Sequence, residues 1–258
     1  NGATVSFGVK ENNYLGKGVS LNTNASITQD SIKGMFNITN PNYKNSDKSV
    51  NFSLQASEND KLSTFGFKST RTGFSLGTNF EYFDDLFLGI STQNFVEDIV
   101  VTSKASAKQK KMAGNYLDSF IGLDLNYDKR NQKYATTAGY YSNYSTDIPI
   151  LSDTGTLNNT YNYKYFTELF ENNVSSFSLL LGSSFSVNGK DIKLSERLFI
   201  PERKLRGFER GRIGPKDGDD FIGGNYMSAI NFSSSIPQIF ENVQTVDLAI
   251  FFDADNVW

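Results

Sequence analysis

The sequence predicts an all-β protein, an antiparallel transmembrane β-barrel of about twelve strands. Three observations support this prediction. Apolar and polar residues alternate along most of the 258 residues, which is typical of strands with one apolar and one polar face. Turn-forming residues separate the alternating runs, and convincing helical periodicity is absent. The polar positions are rich in Ser, Asn, Thr, Gly and Gln, as expected where strands face a hydrated lumen.

The predicted strands follow one another along the chain with short turns between most of them. Alternation is clearest at residues 19–28, 50–57, 121–128 and 177–187. Turn signals such as Asn40-Pro41-Asn42, Asp84-Asp85 and Lys129-Arg130-Asn131 lie between such runs. Two longer connections are predicted, one near Val101 to Asn115 and a much longer one at residues 189–221. A loop of that length is usually functional or disordered.

Aromatic residues favour the barrel over a soluble β-sandwich, which would also show alternation. The chain contains 22 Phe and 13 Tyr but only 1 Trp. They concentrate toward the ends of predicted strands, for example at residues 80–83, 140–144 and 251–252. Aromatic girdles occupy that position in membrane barrels. The pattern alone leaves a soluble protein with core aromatics open.

Composition excludes several classes of function. The chain has no His and no Cys, which removes Ser-His-Asp hydrolysis, His-based zinc sites and thiolate chemistry. A net charge of −3 and a pI near 5.2 argue against binding of nucleic acid. We expect no enzymatic activity, no catalytic residue, no bound metal and no cofactor, although chemistry by carboxylates alone stays formally open.

Ordered motifs mark the long connection and the strand that follows it. The first is Leu205-Arg206-Gly207-Phe208, and it precedes Ile213-Gly214-Pro215 and Gly223-Gly224-Asn225. Glycines permit tight backbone turns, and Arg206 and Phe208 are the side chains we expect to be buried as anchors. This composition favours an ordered loop.

These motifs, in this order and spacing, resemble the barrels of BamA-type outer-membrane protein assembly factors, whose Arg-Gly-Phe loop folds back into the lumen. Residues 251–258 are similar to the family's next strand, and residues 12–18 resemble an early hairpin. The resemblance implies that residues 1–258 are strands two to thirteen of a sixteen-stranded barrel. The POTRA repeats, the first strand and the last three strands are then absent from this chain.

Asp253 is the predicted partner of Arg206, because a lumen-inserted arginine needs a carboxylate. Alternation from Val246 to Trp258 places Asp247, Ala249, Phe251 and Asp253 on one face. The family usually has an acidic residue at the position of Ser233. We therefore expect either a weaker anchor here or substitution by Asp220 or Glu209.

The resemblance implies insertion of nascent β-barrel proteins into the outer membrane of a Gram-negative bacterium, without nucleotide hydrolysis. The expected partners are those nascent proteins, assembly-complex lipoproteins and outer-membrane lipid. Two alternatives stay open: a protein translocation or secretion pore of the same superfamily, and a passive porin-like barrel. In the family the opening edge lies between the first and last strands, so this chain is expected to supply the wall and the lumen loop.

Overall fold

The computed structural model describes residues 3–62, 66–209, 211–218, 220–236 and 248–258. Val246 and Asp247 lie outside the described residues. Twelve strands form one antiparallel sheet in which neighbours along the chain are neighbours in space. These strands are β1 (Val5–Tyr14), β2 (Val19–Ile27), β3 (Ser31–Asn40), β4 (Ser49–Lys61), β5 (Phe67–Phe83), β6 (Leu86–Val101), β7 (Gly114–Asp128), β8 (Gly139–Ser152), β9 (Thr156–Thr167), β10 (Ser175–Ser186), β13 (Tyr226–Ile236) and β14 (Leu248–Val257).

The remaining elements are short. Strands β11 (Lys216–Asp217) and β12 (Asp220–Phe221) form a separate small hairpin. A short α-helix, α1 (Ala107–Lys111), follows β6, and 3₁₀ turns lie at Tyr43–Asn45 and Leu194–Glu196. Across the described ranges, no helix has the length and apolar character needed to cross a membrane. The predicted all-β antiparallel architecture with about twelve strands is confirmed.

The sheet has an apolar face that is exposed and an inner face that the long loop covers in part, against strands between β5 and β14. Val96, Leu117 and Ile250 point to the exposed face, whereas Glu97 and Asp118 next to them in sequence are buried on the inner face. Burial of one such apolar side chain stabilises by about 1.5–3 kcal/mol, so a whole exposed apolar face indicates lipid as its surroundings. A two-layer sandwich would cover this face with a second large sheet, and the twelve long strands instead form one sheet.

Two small apolar cores lie on the inner face, and the loop contributes to both. The first contains Phe67, Ile99, Met112 and Leu194, of which Leu194 belongs to the loop. The second contains Leu180, Ile200, Met227, Ala229 and Val257, with Ile200 from the loop. The core of this protein is therefore made by a loop packed on a sheet, because the opposite apolar face has no protein partner among the described residues.

The connection between β6 and β7 lies against the long loop and helps to position it. Ser106 caps α1 in a capping box with Gln109, and the Ser106 hydroxyl also donates a hydrogen bond to Asp217 in β11. Gln109 is fully buried, and its Nε2 donates to Oδ2 of Asp220 at 3.5 Å. The small β11–β12 hairpin is thus attached to the β6–β7 connection at one end of the sheet.

Candidate functional site

The candidate site is the connection between β10 and β13, residues 187–225, which lies on the inner face of the sheet. Its returning end pairs with a residue inside the loop, Leu198. The Leu198 N–H donates to the Gly224 carbonyl at 2.8 Å, and the Gly224 N–H donates to the Leu198 carbonyl at 2.9 Å. This antiparallel bridge holds the outgoing and returning chain together, so the loop tip is a closed structure.

The tip of the loop, around Arg206, is bound to the sheet that forms the barrel wall. The contact is between Arg206 and Asp253 on β14. Arg206 Nε donates to Asp253 Oδ2 at 2.8 Å, and Arg206 Nη2 donates to Oδ1 at 2.7 Å. The backbone N–H of Arg206 donates to the same Oδ2 at 3.1 Å. A bidentate arginine–carboxylate pair is among the stronger hydrogen-bonded contacts in proteins and fixes orientation as well as distance. The structure therefore brings together Arg206 and Asp253, the pair that the sequence predicted.

Two further residues support this contact. Asn231 on β13 donates from Nδ2 to Asp253 Oδ1 at 2.9 Å and to the carbonyl oxygen of Lys204. The guanidinium carbon of Arg206 lies 3.7 Å from the centre of the Phe251 ring, which allows a cation–π contact. The Asp253 side chain is only 4% exposed, while that of Arg206 is 39% exposed. The carboxylate is thus part of the wall, and the arginine reaches it from a partly wet loop.

The expectation that Asp220 or Glu209 compensates for Ser233 is wrong. Asp220 accepts a hydrogen bond from Gln109 at the other end of the loop, and Glu209 pairs with Arg212 at 3.4 Å. Ser233 lies opposite Phe251 in the β13–β14 register. Asn231, a neutral residue two positions earlier on the same face, supplies the additional contact to Asp253 instead.

Phe208 is not buried, contrary to the expectation that it anchors the loop. Its side chain is 64% exposed, and with Ile213 it borders a shallow hollow on the loop itself. Leu205 packs against the second apolar core in its place. Gly207 between them has φ +84°, a left-handed turn that places the side chains before and after it in different surroundings.

The Gly-Gly-Asn segment is the joint where the loop re-enters the sheet. A Cβ atom on Gly224 would lie 2.4 Å from the Trp258 carbonyl oxygen, so only glycine fits this close approach. The Asn225 N–H donates to that same oxygen at 2.7 Å, and its carbonyl accepts from the Ser184 N–H at 2.7 Å. Asn225 therefore connects β10 to the residue that follows β14.

The neighbouring motif residues are equally constrained by packing. Gly223 has φ +70°, and a Cβ there would lie 2.7 Å from the carbonyl oxygen of Leu198. Gly214 has φ +113°, and its Cβ would meet the Val257 side chain at 3.0 Å. The Pro215 carbonyl accepts from the Ile222 N–H at 3.0 Å. These positions explain why small or turn-forming residues occur at this end of the loop.

The sequence interpretation missed a second charged contact, at Lys193. This side chain is 1% exposed, and its Nζ lies 3.2 Å from Glu97 Oε2 and 3.3 Å from Glu196 Oε1. It also donates a hydrogen bond to Asp118. Glu97 and Asp118 are acidic residues on the inner-facing parity of β6 and β7, which was a signal in the sequence. The cation in the irregular loop gave no comparable signal.

Burial and neighbouring charges have opposite effects on the pKa values in this cluster. Burial lowers the pKa of Lys193, but the carboxylates of Glu196, Glu97 and Asp118 outweigh it, so the pKa is raised above the ordinary value of 10.5. Burial raises the pKa of Glu196 above its ordinary value of 4.5, against the attraction of Lys193. The carboxylates therefore favour the charged form of Lys193, whereas burial acts against the charged form of Glu196.

The pattern of the Omp85 superfamily domain matches residues 13–258. The chain belongs to the Omp85 superfamily. Among curated relatives, it is 23% identical over 288 aligned residues to the outer membrane protein assembly factor BamA of Neisseria meningitidis, covering 100% of this chain and 35% of that protein. It is 28% identical over 144 residues to a SAM50-like protein of Schizosaccharomyces pombe, covering 53% of this chain and 30% of that protein.

Two solved structures share this fold. The crystal structure of BamA from Haemophilus ducreyi lacking POTRA domains 1–3 superposes with a TM-score of 0.88 at 22% identity, over 100% of this chain and 56% of that one. CdiB from Acinetobacter baumannii superposes with a TM-score of 0.52 at 11% identity, over 99% of this chain and 46% of that one. The predicted resemblance to a BamA-type barrel is confirmed. This Omp85 chain spans about a third of the length of the curated relatives it matches.

Proposed function

We propose that this chain is the barrel part of an outer-membrane insertase, which assembles nascent β-barrel proteins and inserts them into the outer membrane of a Gram-negative bacterium. The observation that carries this proposal is the bidentate contact of Arg206 with Asp253 on the inner face of an Omp85 sheet whose other face is apolar. Similarity to a BamA assembly factor along the whole chain supports it.

The physical basis is the cost of bringing unpaired backbone into lipid. Each unsatisfied N–H or C=O costs several kcal/mol in hydrocarbon, so an incoming strand needs partners before it enters. A barrel edge that opens offers such partners by strand addition. A wall that opens at one edge must keep its shape elsewhere, and a loop bound to the inner face by Arg206 provides that stiffness.

The proposed action is physical templating without nucleotide hydrolysis or other covalent chemistry. The partners are then nascent outer-membrane β-barrel proteins, the lipoproteins of an assembly complex and outer-membrane lipid. No role for nucleic acid is proposed, in keeping with the net charge of −3. The location is the outer membrane, where the apolar face meets lipid.

The test uses the complete parent protein reconstituted in lipid vesicles with a nascent porin as client. We expect Arg206→Ala and Asp253→Ala each to lower the yield of folded, heat-modifiable client by up to about tenfold, because the loss of about 1.4 kcal/mol of anchoring changes a population tenfold. Arg212→Ala is the matched control, since Arg212 pairs with Glu209 at the exposed surface. Unchanged client assembly in the Arg206 and Asp253 variants would contradict the proposal.

The same vesicle assay distinguishes the insertase from the two alternative functions. A passive porin-like barrel conducts ions without assembling any client, and its conductance does not depend on Arg206. A translocation or secretion pore carries a client across the vesicle membrane and leaves it soluble in the interior. An insertase leaves the client embedded in the bilayer and protected from protease.

A further inference from the structure

A second connection between the loop and the wall lies at Lys193, well before the tip. Its ammonium group contacts carboxylates from three parts of the chain: Glu97 on β6, Asp118 on β7 and Glu196 in the loop. The hydroxyl of Ser195 donates to Glu97 Oε2 at 3.0 Å, so the loop makes two contacts with this one carboxylate. Leu194, which follows Lys193 in the sequence, is buried in the first apolar core.

Wall residues complete the hydrogen bonding of the cluster. The Ser69 hydroxyl on β5 donates to Glu97 Oε1 at 2.6 Å, and the Ser152 hydroxyl at the end of β8 donates to Asp118 Oδ1 at 2.6 Å. The Tyr116 ring centre lies 5.0 Å from Lys193 Nζ. A buried charge without such partners would be expensive. Glu97 and Asp118 thus each accept hydrogen bonds from the strands as well as from Lys193, so the pairing fixes the position of the Lys193 ammonium group and of the loop that carries it.

The two connections lie on distant parts of the same sheet. Lys193 is bound to β6 and β7, whereas Arg206 is bound to β14, and strands β8, β9, β10 and β13 lie between β7 and β14. Neighbouring strands are about 4.8 Å apart, so the loop crosses roughly 24 Å of sheet width between its attachments. A segment attached at both ends of such a span resists changes in the curvature of the strands beneath it.

We propose that Lys193 is a positioning residue, the second anchor of the loop, and that with Arg206 it makes the segment between them a brace that sets the curvature of the wall from β6 to β14. The brace concerns the shape of the sheet and goes beyond the proposed insertase function. Apolar residues could fill the same volume, but they would not select one position of the loop as a paired cation does.

The experiment measures loop position and wall curvature in the complete parent protein in lipid vesicles. This chain has no cysteine, so spin labels attached to introduced cysteines can be placed freely within it. One pair, at the exposed residues Glu202 and Tyr134, reports the position of the brace relative to the β7–β8 turn. A second pair, at Asp84 and Leu169, reports the separation of the β5–β6 and β9–β10 turns.

The variants separate positioning from folding. Lys193→Met removes the cation but leaves carboxylates unpaired, so it can fail to fold. The fourfold variant Lys193→Met, Glu97→Gln, Asp118→Asn and Glu196→Gln removes every charge of the cluster and keeps similar side-chain volumes. Lys190→Met is the matched control, because Lys190 is exposed and its ammonium group donates to a backbone carbonyl, that of Asp153, rather than to a carboxylate.

We expect the fourfold variant to fold, to broaden the distance distributions of both pairs and to speed amide exchange in residues 193–206 by at least about tenfold. Lys190→Met should match the unsubstituted protein. Narrow, unshifted distributions for both pairs in the fourfold variant would overturn the proposal. Client assembly is measured in a separate assay. The distance and exchange measurements therefore test the brace whether or not the protein is an insertase, and the client assay tests the insertase function whether or not the brace exists.

Discussion

The two attachments of the loop differ in their surroundings. Lys193 is 1% exposed and contacts three carboxylates, whereas the Arg206 side chain is 39% exposed and, within the described ranges, pairs with the single carboxylate of Asp253. Water screens an exposed pair and hydrates its separated charges, while a buried pair has no such alternative. Separating the charges at the Lys193 end is therefore expected to cost more than separating them at the Arg206 end.

The largest expected effect comes from Lys193→Met. Removal of one partner from a buried ionic cluster costs about 3–5 kcal/mol, since the remaining charges are left uncompensated. Urea unfolding of the parent protein in detergent measures the free energy of unfolding. Lys190→Met should change it by less than about 0.5 kcal/mol, as expected for a surface residue. An equally small change in the free energy of unfolding for Lys193→Met would contradict the proposed difference between the Lys193 and Arg206 attachments.

Next in size is Gly224→Ala at the joint where the loop re-enters the sheet. The added Cβ would lie 2.4 Å from the Trp258 carbonyl oxygen, so the backbone must shift, at a cost of about 1–3 kcal/mol. Gly207→Ala at the tip meets no atom within 4 Å and has only the strain of φ +84°, about 1–2 kcal/mol. Thermal unfolding of both variants compares joint with tip, and a larger loss at Gly207 would contradict this ranking.

Substitutions of Arg206 should cost less than the loss of Lys193. Arg206→Ala removes two charge-assisted hydrogen bonds, but exposure of the side chain limits the loss to about 1–2 kcal/mol. Arg206→Lys should recover only part of this, because an ammonium group cannot make the bidentate contact with Asp253 or stack on Phe251. The temperature at which the barrel loses its compact gel mobility measures both. Full recovery in Arg206→Lys would indicate that charge alone matters.

The smallest expected effect is a pH dependence that belongs to the Lys193 end. The pKa of Glu196 is raised by burial, so the folded state holds this proton more tightly than the unfolded state. Its contribution to stability is then complete below its ordinary pKa of 4.5 and is lost as pH rises through the raised value. Glu196→Gln should flatten this decline when unfolding is measured from pH 4 upward. An unchanged pH profile would exclude Glu196 as its source.

The strands could be predicted because their signal is local. Alternation at residues 19–28 or 121–128 requires only neighbours in sequence, and β2 and β7 occupy those positions. Asp253 could be assigned to the inner face by parity for the same reason. The identity of its partner came from the resemblance, since Arg206 is 47 residues away in sequence and no local pattern links the two.

The Lys193 cluster lay beyond prediction because its contacts span 96 residues to Glu97 and 75 residues to Asp118. Phe208 illustrates the same difficulty in the opposite sense. Its aromatic ring suggested burial, yet Leu205 occupies the apolar core. In an irregular loop no fixed period assigns a side chain to a face, so composition alone does not identify which residues are buried.

The amino-acid sequence by itself determined the class of structure, the apolar and polar faces of the strands and the superfamily, because alternation and motif order are properties of the chain. The tertiary structure decided which loop residues carry the attachment to the wall. Only when β6, β7 and the loop meet on one inner face do Lys193, Glu97 and Asp118 come together, and the energy of a buried charge depends on that meeting.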